Sequence, residues 1–102
     1  EAAAAPSVDV LDFGCGDGRY LQQYLRSAQA LLAAGHGELR VFAYEVSLEA
    51  LRSFHFHAQQ TNVLAVVQEP EGRPSLADLP PLRGGNLYLE FVLGSGHAST
   101  EE

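Results

Sequence analysis

The stretch Asp12-Phe13-Gly14-Cys15-Gly16-Asp17-Gly18-Arg19 combines residue types and a spacing that suit ligand binding. It follows the apolar run Val8-Asp9-Val10-Leu11, which predicts a β-strand that ends in a glycine-rich loop. Glycine has no Cβ atom, so it permits positive φ angles and lets a ligand approach the main chain closely. The helical pattern that comes next leaves free N–H groups at its first turn. The stretch is therefore predicted to hold a nucleoside cofactor at the tip of a strand.

The spacing of these glycines separates two classes of cofactor. A dinucleotide fingerprint G-x-G-x-x-G that starts at Gly14 needs glycine or alanine at position 19, where this chain has Arg19. An arginine there would crowd the contact between helix and strand. The observed pattern is acid-x-G-x-G-x-G. It resembles motif I of the class I S-adenosylmethionine-dependent methyltransferases, in the local form Val10-Leu11-Asp12-Phe13-Gly14-Cys15-Gly16-Asp17-Gly18.

This resemblance implies a fold and an activity. The fold is Rossmann-like α/β, with three layers (α/β/α) around a parallel sheet of seven strands in the order 3-2-1-4-5-7-6. The chain is expected to supply strands one to four as the N-terminal, cofactor-binding half. Those four strands would have the order 3-2-1-4, with Leu87–Leu93 at an uncovered edge. The implied cofactor is S-adenosylmethionine, and the implied reaction is methyl transfer to an unidentified acceptor.

Alternating apolar runs and amphipathic stripes predict the element order β-α-β-α-β-loop-β, which indicates a parallel sheet with helical crossovers. After the first strand, further strands are predicted at residues 39–44, 63–67 and 87–93, and the third of these four is expected to be buried. Residues 68–86 are rich in proline and glycine and are predicted to hold no long element, with at most one helical turn at residues 75–79. The first helix is predicted to end at Gly35 and Gly37, from an apolar stripe formed by Leu21, Tyr24, Leu25, Ala28, Leu31 and Leu32. The second helix is predicted to begin after the N-cap Ser47 and to stop near Asn62. Its buried face is predicted to consist of Leu48, Leu51, Phe54 or His55, and Ala58.

Acidic side chains and glycines follow the other predicted strands, at the edge of the sheet where ligands bind. Glu45 comes directly after the second strand, where a carboxylate can accept hydrogen bonds from both hydroxyls of a ribose. Val46 is expected to lie against the adenine. Glu69 follows the third strand, with Asp78 as the alternative acid, and Gly94 begins the turn Gly94-Ser95-Gly96 after the fourth.

The methyltransferase resemblance assigns roles to these residues. Glu45 takes the ribose, and the segment Tyr44-Glu45-Val46-Ser47 resembles the acid-x-Ser sequence that leads into the family's second helix. Asp12 favours the ammonium group of the methionine portion, the glycine backbone surrounds that portion, and Glu69 reaches the adenine. The expected cofactor-binding set is Asp12, Gly14, Cys15, Gly16, Gly18, Glu45, Val46, Glu69 and Gly94.

Other reactive side chains are not expected to be catalytic. Cys15 fits the loop because it is small, and no base partner for a nucleophilic thiol is evident. His55 and His57 are two residues apart on a predicted helix, so their rings point to different sides and no metal site is expected. His97 lies in a polar tail. No residue is assigned as a catalytic base.

Composition favours one domain, at residues 7–96, with a lead-in at 1–6 and a polar tail at 97–102. The net charge of −7, with six arginines and no lysine, argues against a nucleic-acid-binding face. No run approaches the roughly 18–20 apolar residues of a membrane span, and no secretory signal is present, so the cytoplasm is the expected location. The absence of methionine indicates a chain that has lost its initiator residue or was cut from something longer. The remainder of that chain or a second subunit is thus an expected partner.

Two other functions remain open at this stage. The same scaffold could belong to a dinucleotide-binding oxidoreductase, although Arg19 speaks against that class. It could also be a methyltransferase-like module that mediates interactions without catalysis.

Overall fold

Residues 6–67 and 78–94, the part of the chain that this computed structural model describes, form an α/β arrangement of two helices and a mixed sheet. The strand order is β1-β2-β5-β4-β3. β1, β2 and β5 run parallel, whereas β4 is antiparallel to both β5 and β3. In chain order the elements are β1 (Val8–Phe13), α1 (Leu21–Ala33), β2 (Leu39–Glu45), α2 (Leu48–Gln60), β3 (Ala65–Val66), β4 (Leu82–Gly84) and β5 (Leu87–Leu93).

The helix ends follow the signals in the sequence. The Ser47 hydroxyl accepts a hydrogen bond from the Ala50 N–H at 3.1 Å, which makes Ser47 the N-cap of α2. At the end of α1, Gly35 adopts a φ of 92°. The Gly35 and His36 N–H groups then donate to the carbonyls of Leu32 and Leu31 at 3.1 and 2.8 Å, the pattern of a Schellman cap. Both helices are therefore confirmed near their predicted bounds.

The predicted strand order 3-2-1-4 is wrong. β5 (Leu87–Leu93) has its predicted bounds, but it pairs with β2 and β4, so it is an interior strand and β1 is an outer one. The physical reason is that β5 is buried on both faces, with Leu89 and Phe91 toward the helices and Tyr88 and Glu90 on the other face. A strand that is apolar or hydrogen-bonded on both sides is most stable between two neighbours. Among the described residues the outer strands are therefore β1 and the short β3, and Leu87–Leu93 is not at an edge.

The strand predicted at residues 63–67 is present in part, but its predicted length and burial are wrong. Only Ala65–Val66 forms a strand, and both residues are exposed at the outer end of the sheet. Its neighbour β4 lies in the segment that was predicted to hold no long element, and it joins β5 through the two-residue turn Gly85-Asn86. A Cβ atom at Gly84 would collide with the Val63 carbonyl oxygen, so glycine allows this close approach. The sheet is consequently mixed and not wholly parallel.

Both described helices pack on the same face of the sheet. Alternate residues of β2 and β5 point to this face and join the helices in one buried cluster, because side chains alternate along a strand. The described residues thus form two layers, where three were expected. The cluster includes Leu21 and Ala28 of α1, Leu51, Phe54 and Ala58 of α2, Leu39, Val41 and Ala43 of β2, and Leu87, Leu89 and Phe91 of β5.

The opposite face of the sheet carries a buried polar pair. The Tyr88 hydroxyl donates to Glu90 Oε1 at 2.6 Å, and the Arg83 guanidinium lies 5.0 Å from the centre of the Tyr88 ring. These contacts allow a glutamate at a strand position that is usually apolar. Of the helices in residues 6–67 and 78–94, neither has the length and apolar character needed to cross a membrane.

We expect the chain to self-associate through β1. Val10, Leu11 and Phe13 on this outer strand are 37%, 51% and 52% exposed, and an uncovered apolar strand edge promotes pairing with another chain. Light scattering across a concentration series should show association that Leu11→Lys reduces. Leu32→Lys is the matched control, because Leu32 is also exposed but lies on α1. A monodisperse monomer at every concentration, or equal effects of the two substitutions, would contradict this expectation.

Candidate functional site

The glycine loop that follows β1 is attached to the end of β2 by three consecutive amides. The Gly14 and Cys15 N–H groups both donate to the Tyr44 carbonyl, at 2.8 and 3.0 Å. The next amide, the Gly16 N–H, donates to Glu45 Oε1 at 2.8 Å. The loop and Glu45, the last residue of β2, are therefore brought together at the carboxyl ends of adjacent parallel strands, where α/β sheets bind ligands.

Glu45 also contacts the two other elements that meet at this edge. Its Oε2 atom accepts a hydrogen bond from the Ser47 N–H at 3.2 Å, at the start of α2. Its main-chain carbonyl accepts one from the Gly94 N–H at 3.0 Å, at the end of β5. Glu45 thus joins the glycine loop, α2 and the end of β5. The predicted residues Gly16, Glu45 and Gly94 lie together in the structure.

A cavity of about 430 Å³ opens beside the loop. This glycine-loop cavity is lined by residues 14–17, Arg19, Tyr20 and Ala50. Gly14 and Gly16 have φ angles of 74° and 62°, and a Cβ atom at either would meet no heavy atom within 4 Å. Glycine is needed at both positions for the backbone conformation, and the space beside them is open. The volume falls within the range of roughly 300–1,000 Å³ typical of small-molecule pockets.

Gly18 has a different role from the other two glycines. Its φ angle is 90°, and a Cβ atom there would collide with the Phe54 ring of α2. Phe54 is fully buried and packs edge-on against Phe91 with ring centres 5.1 Å apart. Gly18 therefore lets the loop pack on the core. Within the described residues it does not line the glycine-loop cavity.

Cys15 contributes its backbone to the site, while its side chain belongs to the core. The thiol is buried in the same apolar cluster as Leu21. Burial, together with the nearby Asp12 and Glu45 carboxylates, raises the pKa of Cys15 to about 12. A thiol with this pKa is protonated at neutral pH, and it is a poor nucleophile.

Asp12 lies beside a second cavity, of about 280 Å³, next to the outer edge of β1. This cavity is lined by Asp12 with Val10, Leu11, Tyr20, Gln23 and Tyr24, and Tyr20 borders both cavities. Partial burial raises the pKa of the Asp12 carboxyl. Asp12 therefore lines the cavity that adjoins the glycine-loop cavity at Tyr20.

The remaining predicted residues are distributed as follows. Val46 is largely exposed at the end of β2. Glu69, Ser95, Gly96 and His97 lie outside the described residues. The alternative acid, Asp78, accepts a hydrogen bond from Arg52 Nη2 at 3.0 Å, and this contact lowers the pKa of Asp78. It thus pairs with a side chain of α2 and does not line the glycine-loop cavity.

The two helical histidines are separated, as the spacing predicts. His55 is buried, with Nε2 2.9 Å from the Pro80 carbonyl and its ring packed against Phe91. His57 is exposed. In the part of the chain that the structure describes, no group of three metal-binding side chains occurs. His55 therefore helps to hold the segment before β4 against α2.

Sequence reasoning did not assign five contributors to the site: the Tyr44 carbonyl and the cavity-lining residues Asp17, Arg19, Tyr20 and Ala50. The signal for Tyr20 was its position directly before α1, next to the last glycine of the loop. The Tyr44 carbonyl carries no signal, because every residue has one.

Comparisons of the chain with protein-family models, with curated proteins and with solved structures found no match.

We expect Gly18→Ala to destabilise the protein more than Gly14→Ala. Both substitutions place alanine at a positive φ, which costs about 1–2 kcal/mol. Only Gly18→Ala also forces the Phe54 ring to move, and overpacking adds about 1–3 kcal/mol. Urea unfolding followed by circular dichroism measures the two losses. Equal losses would contradict the packing role of Gly18.

We expect Cys15 to resist alkylation in the folded protein. At pH 8 iodoacetamide should modify the thiol slowly, and unfolding in urea should restore the rate of an ordinary cysteine. Because burial raises the pKa of Cys15 from 9.0 to about 12, the unfolded state loses the proton first as pH rises. The contribution of Cys15 to stability is thus constant below pH 9.0 and falls between 9.0 and about 12. Fast alkylation of the folded chain at pH 8 would contradict this assignment.

Proposed function

We propose that this chain is the cofactor-binding part of a cytoplasmic S-adenosylmethionine-dependent methyltransferase with a Rossmann-like fold. One observation carries the proposal. The acid-x-G-x-G-x-G loop lies at the end of β1, its Gly16 amide bonds to Glu45, the acid that ends β2, and an open cavity adjoins the loop. This arrangement supports the site that the sequence resemblance implies, in which Glu45 would be the ribose-binding acid.

The hydrogen bonds of the loop favour this cofactor over a dinucleotide. A pyrophosphate is bound by free backbone N–H groups of a glycine loop and a helix N-terminus. Here the Gly14, Cys15 and Gly16 amides already donate to the end of β2. Freeing them for a phosphate would break three hydrogen bonds that hold the loop. A ligand without phosphates does not require that change.

The charges around the loop favour a cationic ligand. Asp12, Asp17 and Glu45 are acidic, and among residues 12–20 only Arg19 is basic. The field of Asp12 and Glu45 reaches the loop, since both carboxylates help to raise the pKa of Cys15. S-adenosylmethionine carries a sulfonium, an ammonium and one carboxylate and is a net cation, whereas NAD carries two phosphate charges against one pyridinium and is a net anion. Coulomb interactions therefore favour the former.

The order of the parallel strands is compatible with the proposed fold. In the order 3-2-1-4-5-7-6 the first three strands are neighbours in chain sequence. In this chain β1, β2 and β5 are parallel neighbours, but β4 and β3 extend the sheet beyond β5, whereas strand 3 ends the family's sheet. Strands that would follow on the far side of β1 have no counterpart among the described residues.

The site would act mainly by positioning. The sulfonium makes the cofactor's methyl group electrophilic, so the protein must align an acceptor nucleophile with the methyl–sulfur bond. In this proposal Asp12 attracts the methionine ammonium, the backbone of Gly14 and Gly16 surrounds the methionine portion, and Glu45 fixes the ribose. The acceptor would be held largely by the remainder of a longer chain or by a second subunit.

Calorimetry tests the proposal with S-adenosylmethionine, S-adenosylhomocysteine and NAD as separate ligands. We expect both adenosyl ligands to bind at least tenfold more tightly than NAD, because NAD would displace the loop's hydrogen bonds and face three carboxylates. Gly16→Val should abolish binding, because a β-branched side chain at this positive φ both strains the loop and enters the cavity. Tighter binding of NAD, or no binding of either adenosyl ligand, would overturn the proposal.

A further inference from the structure

We infer that Glu45 is a positioning residue that sets the glycine loop and the start of α2 relative to each other before any ligand binds. The inference deepens the proposed function. The consequences of the inference for ligand binding rest on that function. The part that concerns the free protein depends only on the hydrogen bonds of Glu45. A solvent-facing acid at a strand end, the simplest alternative, would make none of them.

The two carboxylate oxygens of Glu45 have separate partners. Oε1 accepts from the Gly16 N–H at 2.8 Å, across 29 positions of sequence, and Oε2 accepts from the Ser47 N–H at 3.2 Å. The first bond fixes the middle of the loop, and the second fixes the residue that caps α2. The Glu45 side chain therefore connects two walls of the glycine-loop cavity. One wall is formed by the loop, and the other is formed by α2 at Ala50.

The chemistry of the bridge requires a carboxylate. Both partners are N–H donors, and a carboxylate presents acceptor oxygens to both. A glutamine has the same shape but presents one oxygen and one NH2 group, so one of the two amides would face another donor. An alanine removes both acceptors. We therefore expect a carboxylate at position 45 to keep both hydrogen bonds, the amide of glutamine to keep one of them, and alanine to keep neither.

The bridge leaves room for a ligand. Each carboxylate oxygen can accept a second hydrogen bond, and Glu45 is only partly buried. Glu45 is not itself among the residues that line the glycine-loop cavity, but a diol that reached it would meet a carboxylate whose orientation is already fixed by two amides. Holding the side chain in advance lowers the entropic cost of binding. The loss of binding in a Glu45 variant would thus include the cost of reordering the loop.

Amide hydrogen exchange of the ligand-free protein tests the inference. In Glu45→Ala we expect the Gly16 and Ser47 amides to exchange roughly 10- to 100-fold faster, the range that corresponds to loss of a hydrogen bond to a charged group. In Glu45→Gln one of the two should accelerate and the other should stay within about threefold of the parent, because one acceptor remains. The Val41 and Leu89 amides, in the paired strands β2 and β5, report global opening.

Glu49→Gln is the matched control, because it removes an exposed acid from the first turn of α2 four residues further along. It should leave both amides unchanged. Parent-like exchange of Gly16 and Ser47 in Glu45→Ala would overturn the inference, as would equal acceleration of the Val41 and Leu89 amides. Calorimetry with S-adenosylmethionine on the same variants is a separate experiment that measures ligand binding. Absence of binding to the parent would overturn the proposed function while the exchange result still decides the role of Glu45.

Discussion

The attachment of the glycine loop to the end of β2 is the constraint on which the site depends. Three loop amides in a row have their acceptors in Tyr44 and Glu45, so the path of the loop is set by a strand that lies about 30 residues away in sequence. Positive φ angles at Gly14 and Gly16 let the backbone present these amides on one side. The other side of the loop is then left to form the cavity. The cavity is therefore a consequence of how the loop satisfies its own hydrogen bonds.

The burial of β5 determines the arrangement of the sheet around that attachment. With Leu89 and Phe91 beneath the helices and Tyr88 bonded to Glu90 on the other face, β5 excludes water from both sides and takes an interior position. It lies against β2, and its last residues reach Glu45 through the Gly94 amide. The same strand thus supports the core and completes the edge at which Glu45 lies. The hairpin with β4 closes the other side of β5 through a turn of two residues.

The elements that could be predicted from the sequence are those determined by residues close together in the chain. Apolar periodicity and capping residues gave both helices, the extent of β5 and the loop after β1, because these depend on neighbours within a few positions. Strand order depends on which strand buries most surface, and periodicity does not contain that information. The packing role of Gly18 could not be predicted, because it depends on the position of the Phe54 ring. The contacts of Glu45 likewise depend on the positions of the loop and of α2 in three dimensions. The proximity of Gly16, Glu45 and Gly94 was therefore predictable from their places after parallel strands, whereas the different surroundings of Gly14, Gly16 and Gly18 were not.

The outer position of β1 links association of the chain to the proposed site. The cavity beside Asp12 is formed by one edge of β1 and the first turns of α1, so its outer side is open where β1 has no further neighbour among the described residues. Any strand that paired with β1 would add a wall to this cavity and would bury Asp12 further. Burial of a carboxylate raises its pKa unless a positive group enters with it. A strand that paired with β1 would therefore raise the pKa of Asp12 further unless it also brought a positive group to this carboxylate.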